Sequence, residues 1–348
     1  MHYKTPKPTS HRFELKKKVV NSQGFREHFK VNGVKFSRIV ASGAIPFERS
    51  GHSLEVIGDK VYVFGGEHTP RVPVGNTINC LDLEVKHWSK VLPDGTPPIP
   101  RTGSSSTTIG IRLYIFGGRT GLQLGGTVLN DLHVLDLKAN TWHQVRTNGN
   151  PPLPRYLHSM IAIGNTIYVF GGCSEFGRLN DLYSFDTVSN TWTKLATSNE
   201  IKGRTGAGFL AIDDSVYVIG GLCGGKNLQD MFRFDVQSGQ WAVVDAHPPL
   251  PSLAFFGVSA IGKNIFVFFG QTDQSSQSNN GLSEFTRDVY VYNTETGGGW
   301  TKVSLGGEII PPARGWFPAA TCGQRIVLFG GQGLDHGKLD DTYVFSRV

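Results

Sequence analysis

The chain is short of cysteine, of long apolar runs and of net charge outside its first residues. Four cysteines stand among 348 residues and no two form a CxxC pair. That excludes a disulfide scaffold and the usual zinc spacings, and a reducing compartment is expected: cytoplasmic, with a mitochondrial location as the alternative. No run of eighteen apolar residues occurs, so no membrane-spanning helix is expected. No apolar run follows the basic N-terminus, which argues against a secretory signal. Neither a Gly-x-Ser-x-Gly elbow nor a P-loop is present, leaving acyl and phosphoryl transfer without an anchor. The net charge of +6 lies wholly in residues 1–30, which hold eight Lys/Arg and two Asp/Glu; the remainder balances at 26 of each. The body therefore lacks the clustered cations that phosphate neutralisation needs.

What is abundant is glycine (44), proline (18) and aromatic residues, the composition of an all-β protein with many tight turns. Lys60-Val-Tyr-Val-Phe-Gly-Gly66 recurs at 112–118, 166–172, 215–221 and 325–331, and Asn264–Gly270 is a sixth copy with Phe269 replacing the first glycine. Tryptophans at 88, 142, 192, 241 and 300 follow most copies, and an arginine opens most repeats: Arg49, Arg101, Arg155, Arg204 and Arg314, with Ser252 in the remaining one. Each unit of about fifty residues reads as four strands, the period of a propeller blade. Six glycine-type strands accompany only five blade tryptophans. The segment Val34–Ile39, with Phe36 in the tryptophan's place, is expected to supply the missing outer strand of the last blade.

That period and signature resemble the kelch repeat. The expectation is an all-β, six-bladed kelch β-propeller over 31–348, its last blade closed by the N-terminal strand, preceded by a basic extension at 1–30. Blades are expected near 49–100, 101–154, 155–203, 204–251, 252–313 and 314–348 plus 34–40. Gly65–Val74, Phe170–Leu182, Gly203–Gly208 and Pro312–Trp316 are similar to one plant subgroup, the nitrile-specifier, epithiospecifier and thiocyanate-forming proteins and their general kelch relatives. The resemblance implies a mouth pocket that redirects glucosinolate aglycone breakdown. It implies a sulfate-associated arginine matched by Arg119, a mouth glutamate matched by Glu67 and a wall tryptophan matched by Trp316. It also implies ferrous iron held by Glu-x3-Asp-x3-His, and there the chain departs: Gln271, Ser275 and Asn279 stand at that spacing. Neutral oxygens are poor Fe2+ ligands beside two carboxylates and an imidazole, and Asp273 and Glu284 in the same loop have no histidine with them. No metal and no cofactor are therefore expected, ferrous iron included.

The expected function is accordingly a non-catalytic propeller, a protein-interaction scaffold or subunit of a larger assembly; the alternative is a specifier-type protein yielding nitriles. Ligand or partner contacts are expected at Glu67, Arg119, Gln271 and Gln332, which follow the glycine-type turns, and at Trp316, which the resemblance implies. The repeat arginines, His52, His158 and most of Phe255, Phe256, Phe268 and Phe269 read as structural, and Cys173 and Cys223 as free thiols. Lys16, Lys17 and Lys18 in the extension are candidate contacts to an acidic protein face or RNA.

Overall fold

The structure is a computed structural model describing residues 33–273 and 284–348. Among these residues the strands form six sheets of four or more strands, arranged as a six-bladed propeller. Blade 2 shows the pattern. Ser105–Ile109 lies innermost, Arg112–Arg119 runs back antiparallel beside it, Val128–Asp136 follows, and Thr141–Gln144 is outermost. In the sixth sheet the outer place is held by Val34–Ile39, antiparallel to Lys338–Arg347, with Phe36 opposite Phe345.

The core lies between blades. Six apolar clusters occupy the six blade interfaces, the last joining Leu54, Val61 and Trp88 of blade 1 to Val327 and Phe329 of blade 6. Each blade tryptophan is placed by strand register to meet its predecessor's second strand: Trp142 sits 6.1 Å from Phe64, Trp192 5.2 Å from Phe116, and Trp88 5.2 Å from Phe329. Phe36 does the same against Phe268 at 6.1 Å, which is why a phenylalanine suffices there. Such ring pairs add about 0.5–1.5 kcal/mol each beyond the area they bury.

The glycine pairs turn the chain at one face, the mouth. Gly118 has φ +94, and a Cβ there would lie 2.9 Å from the Ser104 Cβ, so the position admits only glycine. Phe269 adopts φ +57 without that freedom, and its ring is wholly buried against Phe36 and Phe317. The cost of a left-handed non-glycine residue, about 1–2 kcal/mol, is offset by that packing.

Candidate functional site at the propeller mouth

Past each glycine pair one residue bridges back to the residue after the repeat arginine. Ser50 pairs with Glu67, Thr102 with Arg119, Tyr156 with Cys173, Thr205 with Leu222, Ala254 with Gln271 and Gly315 with Gln332. The backbone frame is thus sixfold, yet its post-glycine side chains are all but one of different types. Inside it runs a ring of six left-handed residues, Gly51, Gly103, Leu157, Gly206, Phe255 and Trp316, with φ between 53 and 64. Backbone bonds of 2.7 to 3.0 Å join neighbours around this ring at five of six junctions, among them Leu157 N to Gly103 O and Trp316 N to Phe255 O. Three non-glycine residues are held in that conformation, and two of them stack: Phe255 and Trp316 lie 3.6 Å apart and 9° from parallel.

The expected contact residues all reach this face but do not form one cluster. The Glu67 carboxylate accepts from the Arg71 backbone N–H at 2.9 Å. Gln332 pairs with His336 Nδ1 at 2.9 Å and accepts from Lys338 Nζ at 2.6 Å. Burial pushes the Lys338 amine below its usual value, opposed by the nearby Glu67 charge. Arg119 lies over the Tyr156 ring at 5.1 Å, and its buried Nε has no partner among the described residues. Gln271 is held through its backbone oxygen, which accepts from Asn227 Nδ2 at 2.9 Å, and Asp273 accepts from the Asn227 backbone N–H. Ser275, Asn279 and the extension residues Lys16, Lys17 and Lys18 lie outside the described residues. All four cysteines are free thiols.

The repeat arginines are framework. Arg101, Arg155, Arg204 and Arg314 are essentially buried, and each makes a two-point bond to an aspartate of its own blade: Asp131, Asp181, Asp230 and Asp341. Each also donates to the carbonyl of the first glycine of its pair, as Arg155 does to Gly171 at 3.0 Å. Among the described residues Arg49 alone of these arginines lacks a carboxylate, because Thr77 stands where blades 2, 3, 4 and 6 have aspartate. Blade 5 has the converse, with a shift from the sequence expectation: strand register puts Leu253 rather than Ser252 in the arginine's place, since Ala254 pairs with Gln271 as Gly315 does with Gln332. Asp288, left without an arginine, takes Lys302 at 2.8 Å instead.

Two features escaped the sequence reading. The central channel, about 490 Å³, is polar along blades 1 to 3 (His52, Ser53, Ser106, Ser159) and apolar along blades 4 to 6 (Phe209, Phe255, Phe256, Phe317). Glu55 lines its polar side. It is half-buried on the channel wall, and that enclosure pushes its carboxyl up to about 7 despite a 2.8 Å bond from Ser106 Oγ. Burial and the Arg49 charge hold His52 down at about 3, and burial and Arg155 do the same to His158. Second, the loops at the mouth expose apolar tips: Val72, Leu122, Leu124, Phe176 (85%) and Leu334. The blade 1 and blade 2 loops touch, Leu122 N–H donating to Arg71 O at 3.3 Å.

Comparison with known proteins places this geometry. The chain is 28% identical to N-(sulfonatooxy)prop-2-enimidothioate sulfolyase of Thlaspi arvense across 87% of this chain and 94% of that protein. It is 38% identical to the Rab9 effector protein with kelch motifs of Gallus gallus, over 36% of this chain and 33% of that protein. The solved structure of YjhT superposes with a TM-score of 0.70 at 20% identity, covering 87% of this chain and 96% of that one, a likeness of fold. Residues 51–270 match the family model described as the KLHDC2/KLHL20/DRC7 Kelch-repeats domain, and with the blade pattern above this makes the chain a member of the kelch-repeat family.

Proposed function

We propose that the chain is a non-catalytic kelch scaffold whose mouth face docks a protein partner. One observation carries this reading: on a sixfold backbone frame, the residues free to vary present dissimilar chemistry, and the loops beyond them end in exposed apolar side chains. Leu122 and Leu124 are 59% and 57% exposed, and Phe176 is 85% exposed. Exposed apolar tips on several loops, beside the polar Arg119, Glu67 and Gln332, supply the mixed apolar and polar chemistry of an interface. A kelch relative named as an effector fits the same reading. Its test is a pulldown with the Phe176→Glu, Leu122→Ser variant, which is expected to lose the partner that the native chain retains.

A second reading is favoured by the match across 94% of the sulfolyase's length. Arg119, with its buried Nε unpartnered among the described residues, would then receive a sulfonatooxy group, a bidentate match for guanidinium. Product analysis of an aglycone reaction separates the two readings: nitrile formation abolished by Arg119→Ala supports the second, and an unchanged product profile supports the first.

A further inference from the structure

We propose that Arg49, at the junction of blades 6 and 1, receives an external carboxylate in the place where four other blades supply their own aspartate. The inference does not rest on the docking reading. Arg49 is 4% exposed and is oriented as its counterparts are: Nε donates to Phe47 O at 2.9 Å and Nη1 to Gly65 O at 3.1 Å. The same pair of bonds fixes Arg155 on Leu153 O and Gly171 O. In Arg155 the remaining nitrogen, Nη2, donates to the aspartate Oδ2 at 3.1 Å. In Arg49 the equivalent nitrogen has no acceptor among the described residues.

The vacancy is set by the third strand of blade 1. Asn76 donates to Pro98 O as Asn130 does to Pro152 O and Asn180 to Ile201 O, which fixes the alignment and puts Thr77 at the position of Asp131 and Asp181. Two residues on, Tyr183 and Tyr343 lie beneath Arg155 and Arg314, whereas blade 1 has Asn79. Both the carboxylate and the ring are therefore missing, and Thr77 is exposed, so solvent reaches the place they would fill. Neighbouring acids are otherwise engaged: Glu48 faces His68 at 3.6 Å, and Glu67 accepts from Arg71 N. A buried guanidinium with no counter-charge pays for its desolvation, and burial alone lowers the Arg49 pKa to about 10. The site geometry is that of an Arg–carboxylate fork with one half supplied from outside, and a single planar carboxylate fits it. That carboxylate could come from a small organic acid or from an Asp or Glu side chain of a partner.

The test uses the full chain in thermal unfolding, with sodium acetate set against sodium chloride at equal ionic strength. A ligand that binds only the folded state raises Tm with concentration. The native chain is expected to gain roughly 1–3 °C in acetate over chloride. Thr77→Asp is expected to start from a higher Tm in chloride and to lose most of the acetate response, because it fills the fork from within. Thr77→Asn, which adds no charge, should keep the response. Any general effect of acetate is common to all three proteins and cancels. Repeating the series with N-acetyl-aspartate amide against its asparagine analogue separates the sources. Response to acetate alone assigns the notch to free acids, response to both admits a side chain, and either supports the site. Coincident acetate and chloride curves for the native chain, or an equal response in Thr77→Asp, overturn it.

Discussion

Replacing Glu55 by glutamine should make the protein more stable above neutrality and change little in acid. In the folded chain, enclosure in the channel raises this carboxyl from its usual 4.5 to about 7, while Ser106 Oγ, bonded to it at 2.8 Å, pulls the other way. Between those two values the folded state binds more protons than the unfolded one. The stability associated with Glu55 is therefore lost as pH rises from about 4.5 through 7, and it levels off above. The gap corresponds to about 3 kcal/mol at pH 8, a ceiling because channel water screens the charge, and to under about 1 kcal/mol at pH 5. Glutamine is neutral throughout and still accepts from Ser106, so it removes the titration and little else. Urea unfolding of both proteins at pH 5 and pH 8 reads the effect as a shift in midpoint. His52 and His158, held down at about 3, lower the acid-side stability of both proteins alike and drop out of the comparison. A variant equally displaced at both pH values, or less stable at pH 8, would refute the placing of this carboxyl against a low-dielectric wall.

The arginine–aspartate pairs make a sharper contrast. Asp181→Asn leaves the buried Arg155 uncompensated and should cost about 3–5 kcal/mol in urea unfolding, whereas Asp288→Asn, facing the exposed Lys302, should cost under about 1 kcal/mol. Trp142→Ala, which opens the interface between blades 1 and 2, is expected to cost about 3–5 kcal/mol by the same measurement. Phe176→Glu with Leu122→Ser should leave the unfolding midpoint within about 0.5 kcal/mol of the native value, since neither side chain is packed. That stability makes the pair a clean probe of docking.

Much of the architecture was legible because its causes are local. Gly-Gly turns, the following tryptophan and the opening arginine recur at fixed offsets, so repeat, blade number and face could be read without contacts, and Phe36 could be recognised as a tryptophan's substitute. Glu67, Arg119, Gln271 and Gln332 follow the glycine-type turns, and their common face came with that, whereas Trp316 came from the family resemblance. What Arg101 and Arg155 bind was not legible, because their aspartates stand 30 and 26 residues away. The signal was nonetheless present: aligning Asn76-Thr77 with Asn130-Asp131 and Asn180-Asp181 exposes the partner missing from Arg49. Glu55 had no such signal. Ser53-Leu-Glu-Val-Ile57 reads as any half-exposed strand, and only closure of the ring turns its polar side toward an enclosed channel. The Phe255–Trp316 stack was hidden for the same reason, since those two residues meet only through left-handed positions held elsewhere by Gly51, Gly103 and Gly206.

The central claim, that the mouth face docks a protein partner, is tested most directly by quantitative affinity purification of three full-length chains. These are the native protein, the mouth variant Phe176→Glu with Leu122→Ser, and a control on the exposed opposite face, Val85→Glu with Val188→Glu. The account predicts a defined partner captured by the native chain and the control and depleted at least tenfold from the mouth variant. Capture undiminished by the mouth substitutions, or lost equally with the control, would contradict it.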